Sequence, residues 1–417
     1  MKKTILSFLL VFTTITTFAQ DLRGTWSGDL HVGPTTLPLV LHVNTDDKGV
    51  ATCTMDSPAQ GAKDIPTKVD FISNDSLAVS VTMIGASYKG RLHGAELKGT
   101  FMQNGMQLPL TLKREANAVK RPQTPQPPYP YTTEEVTFTN EKDHATLAGT
   151  IIYPANYDKK KTPVVLMVTG SGLQNRDEEV FEHKPFLVIA DYLARHGIAT
   201  LRYDDRGTGA SVGGELKNAT TQDFCRDAEA GIMYLRNTKK FSRVGVLGHS
   251  EGANIAFMLG SMRGVDFVIS MAGVGVKGDE ALTAQANRIM QLSGMSTVMT
   301  VEQYRQQPAV AENPWVRWFI DYDPRPDIVC TQCPVFAING NKDVQVLSDP
   351  NLKGISKALA KNKINLTKEY PSLNHLFQHC TTGLPNEYFT IEETISPEVL
   401  QDIAEWINQV KTRRVRR

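Results

Sequence analysis

The residues best suited to chemistry stand together at Gly248-His249-Ser250-Glu251-Gly252. Upstream, Arg243 to Leu247 supplies an apolar strand, and downstream Ile255, Met258 and Leu259 fall at helical spacing. This is strand, sharp turn, helix. A glycine two residues to either side of the serine lets strand and helix pack closely around a strained turn, which pushes the Ser250 hydroxyl out toward a substrate. A serine hydroxyl is a weak nucleophile at neutral pH. It needs a base, an acid that orients the base, and an oxyanion hole.

Each of these is expected just past a strand. After the apolar run Val164 to Thr169 comes Gly170-Ser171-Gly172-Leu173-Gln174, a glycine-rich turn whose amides can face the site. The Ser171 N–H and the Glu251 N–H, the latter directly after the nucleophile, are the expected oxyanion donors. The acid is expected at Asp343 in Gly340-Asn341-Lys342-Asp343, with Asp349 in reserve. The base is expected at His375, in the segment Ser372 to Phe377, with His379 its nearest rival. In the order Ser250, Asp343, His375, the aspartate holds the imidazole and the imidazole removes and returns the serine proton.

The elements that must position these groups alternate. Glu135 to Asn140 and Leu147 to Tyr153 read as an antiparallel opening pair. Strands follow at Pro163 to Thr169, Ile198 to Tyr203, Arg243 to Leu247, Phe267 to Met271, Val335 to Asn339 and Asn365 to Tyr370. Helices are expected near Pro185 to His196, Asp223 to Arg236 and Pro397 to Val410. Such alternation predicts a mostly parallel sheet with helices on both faces and ligands at the carboxyl ends of the strands. Residues 278 to 329 exceed an ordinary connection and predict a helical cap over the site. Met290 and Met295 lie in it, and Trp315, Trp318 and Phe319 have the i, i+3, i+4 spacing that suits equally the cap's own core and an acyl pocket. Asp205 and Arg206, in Arg202 to Ser211, are expected to brace their loop by ion pairs and hydrogen bonds.

Residues 132 to 417 resemble the α/β-hydrolases of the esterase D type, within the broad set of serine aminopeptidase-like proteins. The resemblance is carried by Thr169 to Glu178, His183 to Phe186, Arg202 to Gly209, Gly248 to Gly252, Gly340 to Asp343 and Asn374 to Phe377. This chain departs from the family pattern at Leu173, where proline is usual, and at Asn175, where aspartate is usual. The resemblance implies an α/β-hydrolase fold and, more loosely, an amino-terminal β module.

That module is legible on its own. Leu37, Leu39, Leu41 and Val43 alternate, as do Leu77, Val79, Val81 and Met83, and then Leu108, Leu110 and Leu112. Residues 21 to 115 are therefore expected to form a small all-β sandwich or barrel, and Gly24-Thr25-Trp26 resembles the opening of lipocalin-like barrels. His31, His42 and His93 are scattered there without evident acid partners. Proline density over residues 116 to 131 predicts an extended interdomain linker.

Met1-Lys2-Lys3, the apolar stretch Ile5 to Phe12 and the small residues ending at Ala19 predict a secretory signal peptide over residues 1 to 19. The apolar run is short of the roughly 20 residues of a spanning helix, and no cysteine stands near the junction for a lipid anchor, so a periplasmic or secreted protein is expected. A net charge of +1 gives no support for a nucleic-acid partner, and the basic end Lys411 to Arg417 reads as a solvated tail. The cysteines number five, an odd count, and Cys330-Thr331-Gln332-Cys333 precedes a strand where a redox pair would open a helix, so its role is expected to be structural. Neither a second such pair nor a histidine cluster suggests zinc, and no metal or cofactor is expected.

The function these residues predict is a serine hydrolase that cleaves small carboxylic esters through an acyl-enzyme on Ser250. The first alternative is an exopeptidase or amidase on the same triad, with Asp177, Glu178 or Glu179 holding a substrate amine. The second, of another class, is a glycan- or cell-wall-binding protein with a subordinate hydrolase domain. Oligomeric state is left open.

Overall fold

The computed structural model describes residues 22–45, 50–114, 120–296, 298–360 and 364–410. The expected signal peptide, the last residue of the expected β module, residues 116–119 of the expected linker and the basic end lie outside them. The chain divides into two compact units, Met1–Ala118 and Val119–Arg417.

In the first unit the expectation of sandwich or barrel resolves to a closed barrel of eight antiparallel strands. They are β1 (Gly24–Val32), β2 (Thr35–Thr45), β3 (Ala51–Ser57), β4 (Ala62–Ile72), β5 (Ser76–Val81), β6 (Ala86–His93), β7 (Glu96–Gln103) and β8 (Met106–Arg114). Pairing of Trp26 with Arg114 and of Ser27 with Lys113 closes it. The alternating residues point inward, and Leu39, Leu41, Val43, Leu77, Val79, Val81, Leu110 and Leu112 form one core around Trp26, Tyr88 and Phe101. Met83 breaks the alternation. It falls in a 3₁₀ turn over Thr82–Ile84 after β5 ends, and is exposed. The partnerless reading of His42 is also corrected, since its Nε2 lies 2.8 Å from the buried Asp56 carboxylate across the sheet.

The second unit begins with an antiparallel pair, β9 (Thr132–Asn140) and β10 (Ala145–Tyr153), and continues through β11 (Val164–Val168), α1 (Pro185–Arg195), β12 (Ala199–Tyr203), β13 (Val212–Gly213) and α2 (Thr221–Thr238). Next come β14 (Val244–His249), α3 (Glu251–Ser261) and β15 (Val268–Met271). A run of helices follows: α4 (Gly278–Leu292), α5 (Val301–Arg305), α6 (Pro308–Glu312), α7 (Pro314–Phe319) and α8 (Arg325–Cys330). The chain closes with β16 (Val335–Gly340), α9 (Ser348–Ala358), β17 (Leu366–Tyr370) and α10 (Pro397–Gln409).

The sheet order is β13-β10-β12-β11-β14-β15-β16-β17, with β9 outside on β10, and the strands from β12 to β17 in that order run parallel. Both faces are covered, which explains why the strands read as continuous apolar runs. Val165, Met167, Leu247, Phe336 and Ile338 face α1 and α10, whereas their neighbours Val164, Leu166, Val246, Val335 and Ala337 face α2, α3, α8 and α9. This is the α/β-hydrolase fold, with an added amino-terminal barrel. Among the described residues no helix is long and apolar enough to cross a membrane.

The proline-rich stretch behaves differently from a free linker over its described part. Arg121 donates to the carbonyls of Phe181, Phe389 and Ile391, Gln123 bonds Thr394 and Ile395, and Tyr131 joins the core beside α1. Proline excludes helix there, as composition indicates, but a guanidinium with three carbonyl partners and an aromatic anchor hold the strand to its unit. Cys330 closes α8 and does not open a helix, as the sequence indicates.

Candidate active site

Ser250 sits between β14 and α3 at φ 54°, ψ −117°, a conformation that costs a non-glycine residue energy and survives only where its surroundings enforce it. The surroundings are backbone. A Cβ on Gly248 would fall 1.9 Å from the Gly252 carbonyl oxygen, and one on Gly252 would fall 2.1 Å from that of Val168. Strand and helix therefore approach as only glycine allows. Gly252→Ala is expected to cost at least the ~1–3 kcal/mol of an overpacked core, read as a lower midpoint of urea unfolding; an unchanged midpoint would mean the approach is looser than described. The Ser250 N–H donates to Met271 O at 2.8 Å and ties the elbow to β15.

The expected acid and base meet. Asp343, in the loop after β16, faces His375 Nδ1 with Oδ2 at 2.8 Å, while its Oδ1 accepts the Gln345 and Val346 N–H groups at 2.8 Å each. Both side chains are buried. With Nδ1 engaged by a carboxylate, His375 keeps Nε2 free to accept a proton. Asn374 shapes the loop by accepting the Leu376 and Gln378 N–H groups. The rival positions are committed elsewhere. Asp349 is exposed and pairs with Lys353, and His379 is exposed and pairs with Glu393.

The glycine-rich turn lies against the elbow serine, since a Cβ on Gly170 would stand 3.3 Å from Ser250 Cβ. Ser171 follows on that turn and is exposed. Glu251 opens α3, so its N–H belongs to the first turn, whose amides have no intrahelical carbonyl to bond. The turn is fixed from behind. Asp205 accepts the Gln174 N–H, Asp204 accepts the Arg176 N–H and side chain, and Arg202 is ion-paired with Asp177. Burial pushes the Asp205 carboxyl up to about 8 against the pull of its hydrogen bonds from Gln174 and Thr169, with the Glu251 and Asp227 charges adding to the rise. Arg206 is buried between Asp143 and Asp227. Both Asp205 and Arg206 thus brace the loop.

Three contacts were not assigned from sequence. His249, the residue before Ser250, places Nδ1 2.9 Å from Glu178 Oε1 and Nε2 2.9 Å from the His375 carbonyl oxygen. Glu251 accepts the Trp315 indole N–H at 2.7 Å, which ties α7 to the elbow. Burial pushes the Glu251 carboxyl upward, with the hydrogen bond from Trp315 pulling it back. No local pattern could have disclosed these contacts, because the partners are 71, 126 and 64 residues apart.

The cap's aromatic trio divides. Phe319 is buried with Val274, Ala281 and Val346, Trp318 stacks on Tyr322 at 5.0 Å, and Trp315 stacks on Phe319 at 4.8 Å. Trp318 and Phe319 are packing residues, and Trp315 reaches the elbow. Met290 is half-buried and Met295 exposed. A groove of about 800 Å³ lined by Tyr129, Tyr131, Tyr153, Tyr157 and Lys240 includes none of the expected site residues. Among the described residues no three His, Cys, Asp or Glu side chains are grouped to hold a metal ion.

Residues 183–336 match the serine aminopeptidase S33 family model, Hydrolase_4, a stretch that includes Ser250 and stops short of Asp343 and His375. The chain is similar to esterase EstD of Thermotoga maritima, at 24% identity over 257 residues, 59% of this chain. It spans 62% of the length of that curated relative. Among solved structures it is similar to esterase Pf2001 of Pyrococcus furiosus, at 17% identity and TM-score 0.46, covering 71% of this chain and 99% of the other. It is also similar to Est1E of Butyrivibrio proteoclasticus, solved with ferulic acid bound, at 18% identity and TM-score 0.45, covering 64% and 99%.

Proposed function

We propose that this chain is a serine hydrolase that cleaves small carboxylic esters, with Ser250 as nucleophile, His375 as base and Asp343 as orienting acid. The observation that carries the reading is the 2.8 Å contact of His375 Nδ1 with Asp343, made in loops after β17 and β16, beside a strained serine elbow. His375 belongs to the same cluster as that elbow, its ring centroid 4.7 Å from that of His249.

The steps follow from these groups. Ser250 Oγ attacks the ester carbonyl carbon while His375 Nε2 takes its proton, and the Ser171 and Glu251 N–H groups receive the oxyanion. Collapse breaks the bond to the alkoxy oxygen, which leaves as the alcohol with the proton from His375. Water then attacks the acyl-enzyme with His375 again as base, releasing the acid and restoring Ser250.

Ester cleavage is favoured over aminopeptidase action by the state of the nearby acids. An aminopeptidase needs a carboxylate facing the free amine. Asp177 is paired with Arg202, Glu178 is buried against His249 and the Gly170 N–H, and Glu251 is buried against Trp315. Of the expected amine holders only Glu179 is exposed, and it lies 3.6 Å from Lys184. Matched substrates test this: kcat/KM is expected to be higher for an acyl ester than for the corresponding aminoacyl amide. A preference for the amide that disappears on acetylating its α-amine would support the aminopeptidase reading instead.

A further inference from the structure

The single Glu178 oxygen Oε1 accepts two hydrogen bonds, from the Gly170 N–H and from His249 Nδ1, each at 2.9 Å. On the other side of the ring, His249 Nε2 faces the His375 carbonyl, which can only accept. The imidazole therefore has an acceptor at each nitrogen. Both side chains are nearly sealed, at 3% exposure for Glu178 and 7% for His249. Nothing in ester chemistry calls for a second histidine and a second carboxylate here, and neither is a member of the triad.

We propose that Glu178 and His249 form a positioning pair, which ties the oxyanion turn at Gly170 to the backbone of the base His375 and so fixes donor and base in one frame around Ser250. This rests on the ester-hydrolase reading above. The three segments joined are far apart in sequence, and each carries one part of the proposed machinery. A buried pair whose imidazole is engaged at both nitrogens, and whose carboxylate also holds the Gly170 N–H, can hold such segments rigidly. A small displacement of a catalytic group can cost two orders of magnitude in rate.

The pair's protonation sets its working range. Burial alone would lower the His249 pKa, but the Glu178 charge and hydrogen bond, the His375 carbonyl and the Asp343 charge together raise it. The charged and titratable groups facing the ring are thus Glu178 from the oxyanion segment, His375 from the base loop and Asp343 from the acid loop, with the Phe377 ring beyond. Because the shift is upward, the doubly donating ring persists below the raised pKa and is lost as pH rises through it.

Glu178→Gln tests the pair sharply. A glutamine oxygen at the shared position can accept from Gly170 and His249 Nδ1 but leaves a doubly donating ring with no carboxylate to balance its charge, and a glutamine nitrogen there meets the Gly170 N–H donor to donor. The expected result is a fall in kcat of roughly 10- to 100-fold, a KM changed by less than about threefold, and an alkaline limb of the kcat profile moved to lower pH. His249→Gln, which keeps a donor for the His375 carbonyl, is expected to lose less rate and to lack that limb. The rate of Ser250 labelling by a fluorophosphonate is read on the same samples. A Glu178→Gln protein with parental kcat, pH profile and labelling rate would overturn the proposal, as would a variant that merely melts earlier. Should Glu178→Gln not fold, parental kcat and an unchanged alkaline limb in His249→Gln would overturn it. Failure of the serine-hydrolase reading looks different, because the parent protein would itself lack label on Ser250.

Discussion

Ser250→Ala is expected to lower ester kcat by about 10⁴ or more, the loss typical when a triad nucleophile is removed. The fold should be untouched, because alanine fits wherever serine does except for the hydroxyl, and the Ser250 N–H bond to Met271 O belongs to the backbone. A steady-state assay beside a thermal melt checks both halves. Turnover within tenfold of the parent would mean that another group does the chemistry.

Asp343→Asn is expected to be nearly as damaging, at about 10⁴ in kcat near neutral pH. The reason lies in the loop. Two backbone N–H groups, of Gln345 and Val346, converge on Oδ1, so the asparagine carbonyl is held there and its NH₂ is turned toward His375. Facing a donor, His375 must present a bare Nδ1 and carry its proton on Nε2, where it cannot accept from Ser250. The variant should fold normally and show its loss in kcat with KM little changed. A loss below tenfold would place the orienting acid elsewhere.

How much of this was legible in the sequence depends on the range of the information. The elbow is local, because two glycines, a serine and flanking apolar runs lie within a few residues. The Asp343–His375 contact was reachable because parallel sheets deliver their loops to one edge, so that following a strand to its carboxyl end is enough. Period-2 alternation marked three of the β module's eight strands, β2, β5 and β8, and their inward residues apart from Met83. Closure into a barrel was not legible, since it depends on Trp26 meeting Arg114, a pairing between the first strand and the last. The His42–Asp56 contact was missed for a related reason, being made between neighbouring strands whose register the pattern does not state. Composition described the backbone of the proline-rich stretch, but not that Arg121 reaches three carbonyls from two distant segments. The Glu178–His249 pair was hidden most completely. Both residues lie in motifs that resemble those of hydrolases, yet only the fold brings a turn after β11 against the elbow after β14.

The central claim is that Ser250 is an assembled, activated nucleophile. Its most direct test is reaction of the purified protein with a fluorophosphonate, followed by mass mapping of the labelled peptide. The expected result is one label per chain, on Ser250, lost in Ser250→Ala and slowed in Asp343→Asn. A folded sample that takes no label, or takes it on another residue, would contradict the account.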